Sequence, residues 1–352
     1  MRKTWIEDNR TWPSPAREDE GIALLAEVLR QSGGRVGLPS HAQTHLRMSL
    51  DDFGRLQKIC ALTFDNDRGI VAKLRTIKSP REVDKKSRAC AIADRAFGRV
   101  GEIASSGTAL SAVFRDIQKL LLDAGADWVP YLAGGAGADG YPDVISPADD
   151  RPLQPGDVLM LDTGAVHDGY FCDFDRNFAI GHATAAQATA HSRLIAATHA
   201  GLEAARPGTR ACDPWRTMAG IVSDGEDRGR LGHEIGMQLT EGLSVMAEDP
   251  TVLCPGMVLT LEPTVELISG GLMVHEENIL ITDGKPTALS QVRPGNCPLS
   301  RRACRRSPRR QCRQVARLIG NKQKKGRALS SAIVQQGGMM VKRCAVTVMS
   351  RR

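Results

Sequence analysis

Ten residues of this chain recur after an interval of one hundred. LQPGDVLMLD at 153–162 aligns with LCPGMVLTLE at 253–262, and seven of the ten positions agree in kind. In both copies a Pro-Gly turn releases a strand of alternating and β-branched apolar residues that ends on one carboxylate, Asp162 or Glu262. Each copy then turns and comes back: HDG at 167–169 leads into YFCDFDRNFAIG, and SGG at 269–271 into LMVHEENILIT. Both return strands carry acid, Asp173 in the first and Glu276 or Glu277 in the second. Two hairpins related by an approximate internal twofold thus direct four carboxylates at one point. Such charges at the ends of buried strands are costly when unpaired, and they repel one another unless cations neutralise them. An oxygen-rich set calls for hard or borderline divalent cations, and four acids are enough to hold two.

His233, in LGHEIG, falls between the two hairpins and offers a nitrogen donor, which favours manganese, iron, cobalt or zinc over magnesium. Other acids have plainer readings. Asp157, Asp168 and Asp283 are expected in turns, and Asp175 with Arg176 is expected as an ion pair at the surface or just outside the site.

Around the repeat, strands and helices mix without regular βαβ alternation, which indicates an α+β fold. Residues 1–75 hold one clear helix, EGIALLAEVLRQ, closed by SGG, and a second over 49–59 with Asp51 and Asp52 at its start. They are expected to form a partial N-terminal αβ domain. A long helix opened by Ser79 and Pro80 then starts the main domain, 76–295. The Gly, Asp and Pro-rich stretch 131–150 reads as a loop over the site, 157–181 as a hairpin, and 184–205 and 213–223 as helices.

The formal charge of +7 looks like an invitation to nucleic acid, but it is unevenly placed. Residues 301–352 hold 16 Lys and Arg and no acid, which leaves 31 basic against 40 acidic residues, a net charge of −9, on 1–300. The basic segment 296–352 lacks an amphipathic period and reads as disordered. Its functional reading is a tether to RNA or an anionic surface through counterion release. Its plainer reading, which we favour as the expectation, is a non-native extension of the kind a shifted reading frame leaves. We give it no function and expect no nucleic-acid partner. Nine scattered cysteines, an odd number with no CxxC pair, suit a reducing compartment and argue against a thiolate zinc site. Cys172, beside Asp173, is read as a small buried hydrophobe. No stretch approaches the roughly 18 to 20 apolar residues that cross a bilayer, so a cytoplasmic protein without a membrane partner is expected.

From about 73 to 290 the chain resembles the pita-bread metallohydrolases, which include methionine and Xaa-Pro aminopeptidases, prolidase and creatinase. LDTGAVHDGYFCD reproduces that family's Asp-x10-Asp pair, GHEIG its GH-x-[IL]-G, LEP its Glu-Pro strand end and EENILIT its last ligand strand. The resemblance implies the pita-bread fold with a shortened N-terminal segment, and two divalent ions. Asp162 would chelate one, His233 and Glu262 the other, and Asp173 and Glu276 would bridge them. It further implies a metal-bridging water that attacks the carbonyl of a peptide or small amide, with Glu262 as proton shuttle, in a homodimer. Glu276 is preferred to Glu277 because two residues separate the family glutamate from its apolar strand, as Glu276 stands to Ile279.

Two departures from the peptidases stand out. Thr240 occupies the position, seven past the ligand histidine, where Xaa-Pro-cleaving members carry a second histidine, and GYPDVISPADD lacks another. GHEIGMQLTE and MVHEEN are also similar to the branch with ectoine hydrolase and dimethylsulfoniopropionate lyase, so a non-peptidase reaction and an inactive binding remnant stand as alternatives. Glu234 sits where many relatives have glycine.

Overall fold

In the computed structural model the described residues are 6–16, 18–31, 33–142, 145, 147–222, 229–267 and 270–291. The basic segment expected over 296–352 lies outside them, as does part of the stretch expected as a loop over the site. The described residues fall into two compact units, one holding 6–41 and 45–69, the other 42–44 and 70–291.

The first unit contains α1 (Ile22–Arg30), β1 (Arg35–Leu38), α2 (Leu50–Cys60) and β2 (Thr63–Asn66), with β1 and β2 paired in parallel. Its small core gathers Ile22 and Ala26 of α1 against Leu56 and Cys60 of α2. The Ser49 hydroxyl accepts the Asp52 amide at 3.1 Å and so caps α2.

The second unit runs α3 (Ile70–Thr76), α4 (Pro80–Phe97), α5 (Val100–Ile103), α6 (Leu110–Asp123), β3 (Leu132–Gly137), β4 (Val158–Thr163), β5 (Val166–His167), β6 (Tyr170–Phe171) and β7 (Asp175–Ala179). It continues through α7 (Ala185–Ala204), α8 (Cys212–Val222), β8 (His233–Glu234), β9 (Glu241–Ser244), β10 (Val258–Leu261), β11 (Thr264–Glu266), β12 (Leu272–Val274), β13 (Glu277–Leu280) and β14 (Thr287–Ala288). Pro80 and the capping pair Ser79 and Glu82 open α4, where the Glu82 carboxylate accepts the Ser79 amide at 2.7 Å. The long helix stops at Phe97, with Gly98 as its cap, and α5 follows as a separate turn.

Two antiparallel sheets carry the repeat, in the orders β3-β4-β7 and β14-β13-β10-β8-β9. β4 is buried on both faces, which is why its sequence is an almost unbroken apolar run. Leu159 and Leu161 join the core formed with α4 and α6, while Val158 and Met160 join the core formed with α7 and α8. Asp162 continues the Val158 and Met160 face. β3 corrects the expected loop: the first part of 131–150 is a strand paired with β4. Its glycines make that approach possible, since a Cβ at Gly134 would run into the Met160 carbonyl. Among the described residues no helix is long and apolar enough to cross a membrane.

Candidate metal centre

In the first hairpin, β4 and β7 pair so that Asp162 stands opposite Asp175. In the second, β10 and β13 set Leu261 opposite Glu277, and the same register continued one step sets Glu262 against Glu276. Side chains directly opposite share a face, and so do residues two apart along a strand. Asp162, Asp173 and Asp175 are therefore carried to one side.

β8 brings in the histidine. Gly232 takes φ +149, and a Cβ there would strike the Thr260 carbonyl, so glycine is what lets this segment lie against β10. The His233 amide then donates to Thr260 Oγ1 at 3.1 Å, and its Nδ1 lies 3.1 Å from the Glu234 carbonyl. A carbonyl oxygen only accepts, so Nδ1 donates to it. Nε2 faces Asp173 Oδ2 at 3.3 Å and Glu276 Oε1 at 3.7 Å. A cation among these three donors would satisfy them together, with the carbonyl fixing the ring as in metal-bound histidines.

Two overlapping groups of donors result, each with its donor atoms within 4.8 Å of one another. One is Asp173, His233 and Glu276; the other is Asp162, Asp175 and Glu276. Asp162 Oδ1, Asp173 Oδ1, Asp175 Oδ1 and Glu276 Oε1 are buried and make no hydrogen bond. This donor set, one imidazole among carboxylates, suits borderline divalent ions. Glu262 stands apart from both groups, its Oε1 accepting from Arg230 Nε at 2.9 Å. Glu277, the open alternative to Glu276, turns the other way: Arg176 lies 2.8 Å from it, His275 Nε2 3.0 Å, and Ser290 donates to it.

Arg176 thus corrects one expectation. It is buried and pairs with the Glu277 carboxylate, reaching Asp175 only at its backbone carbonyl, while Asp175 is itself buried, 5% exposed, among the carboxylates. The signal was present in the sequence: Asp175 is two residues beyond Asp173, the spacing that keeps two side chains on one face of an extended chain.

The electrostatics follow from the crowding. Burial, then Glu262, push Asp162 up to about 7, and burial with the neighbouring carboxylates holds Asp175 and Glu276 well above the ordinary range. Glu277 shows the opposite balance, since Arg176 and His275 outweigh its burial and bring it down to about 2. A carboxyl raised in the folded state binds more protons there than in the unfolded chain, where it titrates near 4, so folding stability falls as pH climbs from about 4 to 7. The metal-free protein should therefore melt at a lower temperature at about pH 8 than at pH 5. A divalent cation at about 100 times its Kd should restore roughly 2.7 kcal/mol, some 5 to 10 °C, at the higher pH. Thermal unfolding with and without manganese at both pH values measures this. A melting temperature that rises from pH 5 to 8 without metal would count against the crowded, cation-seeking site.

Beside His233 lies a second charged cluster. Lys78 Nζ sits 2.6 Å from Glu234 Oε1 and 3.5 Å from Glu241 Oε2, and all three side chains are buried. Glu234 and Glu241 are direct partners across β8 and β9. Like charges so placed destabilise a sheet, and Lys78 resolves the conflict from a segment 156 residues earlier.

Comparison with known proteins places these features. Residues 84–283 match the model of "Metallopeptidase family M24", a span that takes in Asp162, Asp173, His233, Glu262 and Glu276. A protein named "Probable dipeptidase PepE" from Mycobacterium tuberculosis is 28% identical over 234 residues, 65% of this chain and 61% of that one. A protein named "Xaa-Pro dipeptidase" from Pyrococcus horikoshii is 29% identical over 229 residues, 63% of this chain and 65% of its own. The chain thus spans less than two thirds of the length of these curated relatives. Among solved structures, an X-Pro aminopeptidase from Thermotoga maritima superposes with a TM-score of 0.71 at 22% identity, covering 81% of each chain.

Proposed function

Since the chain belongs to metallopeptidase family M24, with its α+β pita-bread fold, we propose that it is a dinuclear metal-dependent hydrolase of C–N bonds, Xaa-Pro aminopeptidase-like, acting on a short peptide or small amide. The observation that carries this reading is His233 Nε2 facing Asp173 Oδ2 and Glu276 Oε1, amid buried carboxylate oxygens with no hydrogen bond. Asp162 would hold one ion, His233 and Glu262 the other, and Asp173 and Glu276 both. Manganese, cobalt, iron and zinc all suit the donors, and manganese is the first to try. When bound, the ions supply water acidified to a pKa of about 7 and stabilisation of the charge that develops on the carbonyl oxygen.

The remaining work belongs to the chain. Glu262, raised by burial and held by Arg230, stands at the strand end where it takes a proton from water and passes it to the departing nitrogen. Asp173 is held in place through its backbone, its amide donating to Asn278 Oδ1 at 3.3 Å and its carbonyl accepting from Asn278 Nδ2. Thr240 in place of a second histidine widens the candidate substrates to amides other than Xaa-Pro. A homodimer and a cytoplasmic location accompany the reading, on the family resemblance and cysteine usage respectively.

Elemental analysis of purified protein, followed by a screen of Xaa-Pro dipeptides, other dipeptides, small amides and dimethylsulfoniopropionate, tests the proposal. About two divalent ions per chain and release of a free amine are expected. An alkene product would replace hydrolysis by elimination at the same centre, and no metal uptake after manganese or cobalt is supplied would end the catalytic reading.

A further inference from the structure

The internal repeat has a counterpart in the structure that the sequence alignment does not reach. On the outgoing strands the offset is 100, taking Asp162 to Glu262. On the return strands the registers shift it to 101, because Val158 pairs with Ala179 in the first hairpin and Val258 with Leu280 in the second. Asp175 then matches Glu276, Arg176 matches Glu277, and Asn177 matches Asn278. The hydrogen bonds obey this pairing. Asn177 Nδ2 donates to the Val274 carbonyl, and Asn278 Nδ2 donates to the carbonyl of Asp173, the residue matched to Val274. Arg176 and Glu277 meet each other at 2.8 Å, and the Glu276 amide donates to the Asp175 carbonyl at 3.2 Å. The twofold runs between the two return strands, and Asp175 is the mate of Glu276.

We propose that Asp175 is a further carboxylate for the ion at Asp162, joining Asp162 and Glu276 there, with Asp173, His233 and Glu262 in the roles given above. The proposal rests on the two-ion reading above and adds a donor to it. Three features support it. The Asp162, Asp175 and Glu276 oxygens lie within 4.8 Å of one another. Asp175 is 5% exposed and its Oδ1 has no hydrogen bond. The Arg176 guanidinium that follows it in sequence makes its carboxylate pair with Glu277 and touches residue 175 through the backbone carbonyl. The two ions are thereby made chemically unequal. The Asp162 side is all oxygen and favours a hard cation such as manganese, whereas the His233 side has a nitrogen and favours cobalt or zinc.

Manganese titration of the full chain, stripped of metal, followed calorimetrically and by electron paramagnetic resonance, separates the possibilities. The wild type should take up two ions. Asp175→Asn, which keeps shape and removes charge, should retain one at wild-type affinity and bind the second at least about tenfold more weakly, the lower end of what even supporting residues of metal sites contribute. Asp175→Thr should behave alike. Metal-free Asp175→Asn should melt no lower than the metal-free wild type, because it relieves repulsion, whereas a purely structural aspartate would destabilise the fold on removal. Two ions at wild-type affinity in both variants would overturn the role of Asp175 and leave the dinuclear reading intact. Failure of the wild type to bind manganese at all would remove both.

Discussion

On the proposed hydrolase reading, Asp173→Ala is expected to lower kcat/KM by about a thousandfold or more and to leave the purified protein short of metal, with its fold retained. The size follows from what the side chain does. Its Oδ2 lies 3.3 Å from His233 Nε2, its Oδ1 has no hydrogen bond, and with Glu276 it is one of two acids that would serve both ions in the proposed centre. Without the ions, the acidification of water and the charge stabilisation they would supply are lost, and a thousandfold loss is a modest estimate, equal to about 4 kcal/mol in the barrier. The fold survives because Asn278 holds this segment through the backbone of residue 173, contacts that alanine keeps on the backbone side. Steady-state kinetics beside elemental analysis provide the check. A variant with more than about a tenth of the wild-type rate and a full metal complement would remove Asp173 from the centre.

Lys78→Ala unfolds the protein more readily by about 3 to 5 kcal/mol, the usual cost of stripping one partner from a buried ion pair. In a unit of this size that lowers the melting temperature by roughly 10 °C. Truncation leaves Glu234 and Glu241 facing each other across β8 and β9, with Arg75 3.8 Å from Glu241 and the amides of Met237, Gln238 and Leu243 to offset them among the described residues. Lys78→Met with Glu234→Leu should recover much of the loss, because apolar replacement of a buried pair is often neutral. Denaturant unfolding of wild type, single and double variants measures the difference. A single variant within about 1 kcal/mol of the wild type would show that solvent already reaches these carboxylates.

The sequence made the outgoing strands legible because a repeated Pro-Gly turn and a terminal acid leave a pattern that needs no tertiary context. Asp162 and Glu262 stand out from that pattern, Asp173 from the return strand, and His233 and Glu276 with the help of the resemblance. The structure brings Asp162, Asp173, His233 and Glu276 near one another, with Glu262 alongside but turned to Arg230. Asp175 was misplaced because an acid followed by arginine reads as a local ion pair, whereas the arginine finds its partner 101 residues away. β3 was missed because glycine lowers strand propensity, although at Gly134 it is what permits the strand to pair. The partner of Glu234 was beyond reach for a similar reason, since Lys78 carries no local mark of being buried.

The antiparallel register of β4 and β7 has a further consequence for the uniformity of any preparation. Side chains alternate faces, so sliding one strand by a single residue carries its whole set of donors to the opposite side and replaces them with Leu161, Phe174 or Arg176. A molecule in that state lacks Asp162, or Asp173 with Asp175, outright rather than holding these donors slightly misplaced. Errors in this hairpin therefore divide a population into competent and silent molecules, and specific activity counts correctly assembled chains rather than averaging over degrees of damage.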